Sequence, residues 1–201
     1  MPQTIASRLS LVALGICVMG LLWPVPGSAQ TISGQARAVQ ATVAGLLGTN
    51  TAVLSDTGTL SGPTDAREAS QGMGAISNLL TGEALHATTI GWPDQVASEA
   101  SLANLALNVA GNTIGADLVM ARALSALGAT GAGAVNIDSL LINGVPVGVT
   151  GEPNQSVWIP GGQVVINEQR TSAGRTVVNA LHVVVDGVAD VIIASATAAI
   201  Q

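Results

Sequence analysis

Hydrophobic and polar residues alternate with a period of two along most of the chain after residue 33. That alternation is typical of β-strands that bury one face, because successive side chains of a strand point to opposite sides. Clusters of Gly, Asn, Asp and Pro, which favour turns, separate the runs. The pattern predicts strands at residues 34–43, 51–60, 79–90, 97–109, 176–185 and 191–200. Residues 176–185 are apolar on both faces, which suits a central strand.

Two hairpins are predicted from their turns. Asn143-Gly144 lies between two apolar runs, and this pair tolerates the positive φ angles of a type I′ turn. Pro160-Gly161-Gly162 separates residues 157–159 from residues 163–167 in the same manner. These turns favour an antiparallel arrangement of the neighbouring strands.

Three other stretches are assigned by composition. Residues 61–77 are rich in Gly, Ser, Thr and charged residues and predict a long surface loop. Residues 45–48 and 91–94 predict turns. Residues 116–127 contain good helix formers yet also read as a strand with two apolar faces, and we favour the strand because its neighbours are strands.

Many short strands at regular spacing predict an all-β domain, a mostly antiparallel β-sandwich or a barrel-like closure. A β-solenoid is the alternative, although the chain shows no fixed repeat.

Strict alternation through the last strand places Ile192 and Ala194 on one face, with Ser195 on the other. It also places Glu168 on the side of Val164, partly buried. That carboxylate would then need a partner, and Arg170 and Arg175 are close in sequence.

The first 29 residues differ from the rest. A short polar start with Arg8 precedes an apolar run at residues 9–22, then Trp23-Pro24-Val25-Pro26 and the small residues Gly27-Ser28-Ala29. This order predicts a secretory signal peptide cleaved between Ala29 and Gln30. The run is short for a bilayer, which needs about 20 apolar residues. We expect residues 30–201 to form a single secreted β-domain with no membrane anchor.

Composition narrows the possible partners. The only cysteine, Cys17, lies in the predicted signal peptide, so no disulfide is expected. All six basic residues are Arg, against twelve Asp and Glu, and Arg8 leaves with the signal peptide. Nucleic-acid binding requires a positive surface that displaces counterions. The acidic balance therefore excludes that class and favours an extracellular location.

The C-terminal third resembles a known family. Leu141-Ile142-Asn143-Gly144-Val145-Pro146-Val147, Ile159-Pro160-Gly161-Gly162, Val165-Ile166-Asn167-Glu168-Gln169 and Val178-Asn179-Ala180-Leu181-His182-Val183 carry the likeness, together with the ending Asp190-Val191-Ile192-Ile193-Ala194-Ser195-Ala196. Over about residues 140–197 the chain resembles the bacterial choice-of-anchor P family. The resemblance implies a secreted or cell-surface domain of undetermined molecular role.

Candidate chemistry is sparse. His86 and His182 would hold zinc only with a third ligand such as Glu83 or Asp190, and we favour histidines packed in a sheet instead. Residues 186–190 offer carboxylates for Ca²⁺ but are better interpreted as a hairpin turn. No Gly-x-Ser-x-Gly elbow is present. We therefore expect a non-catalytic protein without a cofactor and assign no catalytic, cofactor or metal residues.

Trp92 and Trp158 are the only aromatic residues after the predicted signal peptide, and each lies next to a turn. We expect both to fill the core, since a tryptophan buries a large area. The sequence thus favours a structural or adhesive role for a secreted or surface-associated protein, with itself or other surface components as partners through exposed strand edges. The alternative is a small extracellular carbohydrate- or ligand-binding module, for which an exposed indole and the polar Asn167-Glu168-Gln169 would be the site.

Overall fold

A computed structural model describes residues 31–45, 48–172 and 174–201. The predicted signal peptide, its cleavage site between Ala29 and Gln30, and the middle of the predicted turn at residues 45–48 lie outside the described residues. The described part of the chain contains strands and turns but no helix, and hence no helix that spans a membrane.

Thirteen strands are present in the described residues. They are β1 Ile32–Gly45, β2 Gly48–Asp56, β3 Ala66–Ile76, β4 Leu80–Gly91, β5 Gln95–Val109, β6 Asn112–Ala126, β7 Ala132–Asp138, β8 Leu141–Ile142, β9 Val145–Pro146, β10 Gln155–Ile159, β11 Gly162–Ser172, β12 Arg175–Val185 and β13 Ala189–Ile200. Sheet I has the order β10-β11-β12-β13-β1-β2, and sheet II has the order β3-β4-β5-β6-β8-β9, with β7 also paired to β6.

All pairings are antiparallel, and the two sheets pack face to face without closing into a barrel. The predicted β-sandwich is therefore confirmed. Of residues 116–127, for which the sequence allowed either a strand or a helix, residues 116–126 belong to strand β6 and Leu127 lies in the turn that follows. The Asn143-Gly144 hairpin is also confirmed, because both residues have the positive φ angles of a type I′ turn, 51° and 77°.

The predicted loop at residues 61–77 is wrong, because Ala66–Ile76 forms strand β3. This strand lies at the edge of sheet II and pairs only with β4. Most of its side chains face solvent. A strand with little to bury needs few apolar residues, and its composition then resembles that of a loop. Strand β7 was not predicted, and β2 occupies residues 48–56 rather than 51–60.

The core consists of Ala, Val, Ile and Leu side chains from the inner faces of both sheets, which pack against each other. The sheets approach closely at Gly34 of β1, where a Cβ atom would meet Thr89 Oγ1 at 2.4 Å. Buried hydroxyl groups also link the layers: Ser98 Oγ donates to the Thr197 carbonyl at 2.7 Å and Ser125 Oγ to the Ala198 carbonyl at 2.8 Å. Both serine hydroxyl groups therefore have an acceptor in the opposite sheet, whereas Thr176 Oγ1 is buried without a hydrogen-bond partner among the described residues.

One row of residues reverses the inward–outward alternation of sheet I. Each strand there has two successive inward residues, such as Ile166 with Asn167 on β11 and Ile193 with Ala194 on β13. A residue with left-handed backbone on every second strand permits two successive inward side chains. These residues are Asn167 on β11, Ala194 on β13 and Ser55 on β2, with φ angles of 54°, 51° and 47°. We call this the reversal row, and it comprises Asn167, Ala180, Ala194, Ala38 and Ser55.

Sheet II contains a related row with the opposite sense. Ala84, Asn104 and Ser139 have φ angles of 47°, 50° and 56°, and the strands there carry two successive outward residues. At these rows, the strands of sheet I have two successive inward residues and the strands of sheet II have two successive outward residues. The inward–outward alternation is therefore shifted by one residue in both sheets. This arrangement keeps the inner faces apolar on both sides of the reversal.

Candidate functional site

Three neighbouring rows of side chains that cross the strands on the outer face of sheet I contribute to the candidate site. The first row contains Trp158, Gln163, Val184, Asp190 and Thr42. The second row contains Ser156, Val165, His182, Ile192 and Gln40. The third row contains Glu168, Asn179, Ser195, Arg37 and Asp56. The reversal row lies between the second and third rows on the opposite face, so polar side chains flank the reversal on the solvent side.

Side chains from the second and third rows meet across this reversal. His182 and Glu168 belong to different rows, yet Nδ1 of the imidazole lies 3.0 Å from Oε2 of the carboxylate. Arg37 and Gln40, three residues apart on β1, are also hydrogen-bonded. In a regular strand such residues would point to opposite faces. The reversal row therefore assembles the polar cluster.

Glu168 is the centre of the cluster and is only 8% exposed. Besides His182, its carboxylate accepts hydrogen bonds from Asn179 Nδ2 and from the Arg170 guanidinium, both at 2.6 Å. The bond from His182, followed by those from Asn179 and Arg170, outweighs the effect of burial and lowers the pKa of Glu168 to about 2. Glu168 is thus a fully bonded carboxylate at neutral pH.

His182 is held between two carboxylates. Its Nδ1 contacts Glu168, and its Nε2 lies 3.1 Å from Asp190 Oδ1. Hydrogen bonding to Glu168 raises the pKa of His182, with a smaller contribution from Asp190, while burial opposes the shift. With an acceptor at each ring nitrogen, the geometry fits the imidazolium, in which both nitrogens donate.

A neutral chain of hydrogen bonds extends the cluster across the sheet. Ser195 Oγ on β13 donates to Asn179 Oδ1 on β12 at 2.7 Å. This bond fixes the orientation of the Asn179 amide, whose Nδ2 then faces Glu168. Four strands, from β11 to β1, thereby contribute side chains to one continuous polar surface, since Arg37 is the register partner of Ser195.

An open groove of about 500 Å³ lies over this surface. Its wall includes Glu168, Asn179 and His182 of the cluster. Several groups in the wall remain accessible: Gln40, Thr42, Arg170, Arg175, Asp190 and Ile192. A larger hollow of about 750 Å³ lies on sheet II near the β8–β9 hairpin. Asp117 is the one charged side chain that lines this hollow, so the groove on sheet I is the better candidate site.

The chemistry of the groove has to be interpreted from its own residues. No family model, curated protein or solved structure matches the chain. The resemblance of residues 140–197 to the choice-of-anchor P family stays a prediction.

The structure brings only some of the sequence candidates together. Glu168, His182 and Asp190 meet in the groove, and the predicted Glu168–Arg170 ion pair forms. Glu168 does not lie on the side of Val164, as strict alternation predicted, because the reversal moves it to the outer face. Ile192 lies beside His182 on that face for the same reason, opposite to the inward Ala194.

The remaining candidates lie elsewhere. His86 faces outward from sheet II, where its Nε2 is 3.4 Å from Glu68 Oε1, so the two histidines are on opposite outer faces. Glu83 accepts a hydrogen bond from Asn104 at 2.8 Å. Among the described residues no group of three or more His, Cys, Asp or Glu is placed to hold a metal ion. Residues 186–188 form the turn of the β12–β13 hairpin.

The prediction that both tryptophans fill the core is wrong. Trp158 is 80% exposed on the edge strand β10, and Trp92 is 37% exposed in the turn after β4. The space between the sheets is filled by Ala, Val, Ile and Leu, and at Gly34 it does not admit even a methyl group without a shift. An indole therefore has no room between the layers.

Sequence reasoning missed Asn179 and Ser195 as members of the site. A signal for both is present, because each is a polar residue in a largely apolar strand near the middle of sheet I. Such a residue must find a hydrogen-bond partner when it is buried. The partner was not deducible, since it depends on the register of strands β11 to β13.

Proposed function

We propose that this protein is a non-catalytic secreted or cell-surface-associated protein with a structural or adhesive role, and that it assembles through the edges of sheet I. The observation that carries the proposal is the unpaired edge of strand β2. Strand edges expose N–H and C=O groups that pair readily with another chain unless charges, proline or a bulge block them.

Strand β2 has none of the usual protection over most of its length. Residues 48–55 contain no charged residue and no proline, and residues 48–53 are exposed except for the half-buried Ala52. Its one carboxylate, Asp56, is at the end of the strand and is paired with Arg37 at 3.4 Å. The edge is thus long and uncharged, which favours pairing.

Two edge strands of sheet II contrast with those of sheet I. Strand β3 carries Arg67 and Glu68, and strand β9 ends in Pro146, so charge and proline protect these two strands. Strand β7, which pairs with β6 alone among the described strands, carries a single carboxylate, Asp138, at its end. Strand β10, at the other end of sheet I, contains no charged residue. Pairing of β2 with β10 of a second copy is a head-to-tail contact, and contacts of that kind produce open filaments when they do not close into a ring.

The groove chemistry supports a non-catalytic role. Both ring nitrogens of His182 are engaged by carboxylates, and Ser195 Oγ donates to Asn179 rather than to a histidine. A serine nucleophile needs a free basic nitrogen within hydrogen-bond reach. A glycosidase needs a carboxylic acid with a raised pKa, whereas the pKa of Glu168 is lowered to about 2.

The extracellular location rests on the sequence of residues 1–29 and on the acidic balance of the rest of the chain. N-terminal sequencing of the exported protein tests it, and the expected first residue is Gln30. Recovery of the protein in the cytosol with residues 1–29 intact would contradict secretion.

Assembly is tested with purified protein that starts at Gln30. Sedimentation velocity and negative-stain electron microscopy are expected to show ordered polymers that grow with concentration. Val53→Lys adds a charge to the exposed edge of β2 and is expected to keep the protein monomeric. Leu127→Lys is the matched control, since Leu127 is exposed in a turn of sheet II. A strictly monomeric parent protein at high concentration would refute assembly.

A second function, binding of a carbohydrate or other extracellular ligand, is favoured by the exposure of Trp158 on the same face as the groove. Ligand sites combine apolar surface with a few oriented polar groups, and this face offers both. Titration of the protein with extracellular polysaccharides, followed by calorimetry, tests the proposal. Assembly through strand edges leaves this face open, so the two functions are compatible.

A further inference from the structure

We propose that a linear, neutral oligosaccharide lies across the strands of sheet I along the first row, from the indole of Trp158 to the groove at Asp190. This inference rests on the second proposed function, the binding role, and adds to it the site, the ligand class and the direction of the bound chain. It is independent of assembly through β2.

The first row is long enough to bind an extended chain, and we call its stretch from Trp158 to Asp190 the track. Trp158 on β10 and Asp190 on β13 are in one register row, separated by Gln163 and Val184. Three strand spacings of about 4.8 Å put them about 14 Å apart. That distance exceeds one sugar ring, so a ligand that reaches both must be a chain of several units. Gln163 and Val184, which lie between them, are half-buried, so both side chains keep part of their surface accessible to a ligand.

The two ends of the track supply complementary chemistry. At one end Trp158, 80% exposed, presents an aromatic surface against which the apolar face of a sugar ring packs. At the other end Asp190 accepts hydrogen bonds, while Thr42 and Gln40 both donate and accept. Sugar hydroxyl groups also both donate and accept, and therefore match a mixed set of this kind.

The polar end is rigid before any ligand arrives. Asp190 is held by His182, and His182 is held by Glu168, which Asn179 and Arg170 fix in turn. A group oriented by its neighbours loses little conformational entropy when it binds. The buried network thus positions Asp190, whose own side chain remains 55% exposed.

Charge along the first row favours a neutral ligand over an anionic one. The charged side chain in that row is the Asp190 carboxylate, and the chain as a whole is acidic, with a formal charge of −6. The groove beside the row holds three cations, Arg170, Arg175 and the His182 imidazolium, but Arg170 and His182 are already bonded to Glu168. The accessible Asp190 would repel a carboxylate or sulfate on the ligand. Glucan, mannan and xylan chains carry no such groups.

The experiment is isothermal titration calorimetry of the protein from Gln30 onwards with glucan, mannan and xylan oligosaccharides of increasing length, from one unit upwards. We expect one of these neutral series to bind, with no detectable binding of its monosaccharide and with affinity that rises until the chain spans the track. Trp158→Ala and Asp190→Ala are each expected to weaken binding about tenfold, the range of one aromatic or hydrogen-bonded contact. Trp92→Leu is the matched control, since Trp92 lies outside the track, and is expected to bind as the parent does.

The outcomes separate the inference from the function on which it rests. Binding that is independent of chain length, or that Asp190→Ala leaves intact, overturns the track while a binding role stands. Preference for uronate or sulfated chains overturns the neutral class. The absence of heat with every oligosaccharide and polysaccharide, neutral or charged, overturns the inference and the carbohydrate-binding function together. Circular dichroism of each variant confirms that loss of binding is not loss of fold.

Discussion

Glu168 and His182 belong to rows on either side of the alternation reversal in sheet I, and their side chains nevertheless meet at 3.0 Å. The contact exists because Asn167 adopts a left-handed backbone conformation, with φ of 54°, and turns inward next to the inward Ile166. Without that reversal Glu168 would share a face with Ile166 and enter the core. One unusual backbone angle thus places a carboxylate in the groove rather than between the sheets.

Replacement of Glu168 is expected to destabilise the protein. Glu168→Gln keeps the volume but brings an NH₂ group against His182, Asn179 and Arg170, all of which donate to the carboxylate. Leaving buried donors without an acceptor costs about 1–3 kcal/mol of unfolding free energy. Urea denaturation measures the loss. Glu99→Gln is the control, because Glu99 pairs with Arg122 on an exposed surface, where such pairs contribute about 0–1 kcal/mol. Equal costs for the two variants would contradict a special role for Glu168.

The same network is expected to lose part of its contribution to stability both at alkaline pH, through His182, and at acidic pH, through Glu168. The pKa of His182 is raised above its ordinary 6.5, so the stabilisation it provides is complete below pH 6.5 and declines as the pH rises through the raised value. The pKa of Glu168 is lowered from 4.5 to about 2, so its contribution is complete above pH 4.5 and is lost as the pH falls towards 2.

Thermal unfolding across this range, with NMR titration of the imidazole, measures both effects. The network should stabilise the fold most between pH 4.5 and 6.5, where both groups are charged. A plot of stability against pH should therefore decline above pH 6.5, and we call this part of the plot the alkaline limb. His182→Gln should flatten the alkaline limb, since glutamine does not titrate. An unchanged alkaline limb in that variant would show that another group causes it.

The strands and the sandwich follow from the sequence because period-two alternation and turn residues are local signals. Face assignment needs more than those signals. The predicted placement of Ile192 with Ala194 assumed unbroken alternation, which the positive φ at Ala194 interrupts. Alanine rarely adopts such an angle, and nothing in its side chain marks it. The reversal continues through the neighbouring strands β12 and β1, so its position depends on residues that are distant in sequence.

The site was predictable only in part for a related reason. Glu168 was singled out as a carboxylate that needs a partner, and its bond to Arg170 could be foreseen because the two residues are close in sequence. Its contacts with Asn179 and His182 depend on strand register over 11 and 14 residues of separation. The prediction that Trp158 is buried was wrong for a different reason. Its apolar character favours burial, but composition gives no information on the distance between the two sheets, which is too short for an indole.

The reversal row predicts a difference between two chemically identical substitutions. Ala194 and Ala180 are neighbours in this row and both are fully buried, but only Ala194 has a positive φ. Ala180→Val is expected to cost about 1–3 kcal/mol through overpacking. Ala194→Val should cost about 1–2 kcal/mol more, because a bulkier side chain is disfavoured in left-handed backbone. Equal losses of unfolding free energy in denaturant titrations would refute the strain at Ala194.

The close approach of the two sheets at Gly34 gives a further prediction. A Cβ atom there would lie 2.4 Å from Thr89 Oγ1 and 2.8 Å from Val96 Cγ1, so Gly34→Ala must push the layers apart. We expect a loss of about 1–3 kcal/mol, the usual range for overpacking. Gly62→Ala is the control, since a Cβ atom there meets nothing within 4 Å. Thermal denaturation of both variants decides whether the gap is as narrow as described.

The two tryptophans that remain after the predicted cleavage are expected to differ in fluorescence. Trp158, which is 80% exposed, should emit at long wavelength and be quenched strongly by acrylamide, whereas Trp92, at 37% exposure, should be quenched less. The comparison uses Trp158→Leu, which leaves Trp92 as the single indole, and Trp92→Leu, which leaves Trp158. Since Trp158 stands on an edge strand and is largely exposed, its removal should leave the unfolding free energy within about 0.5 kcal/mol of the parent. A blue-shifted, poorly quenched emission from the Trp92→Leu variant would mean that Trp158 is buried, and the aromatic end of the proposed oligosaccharide track would then be lost.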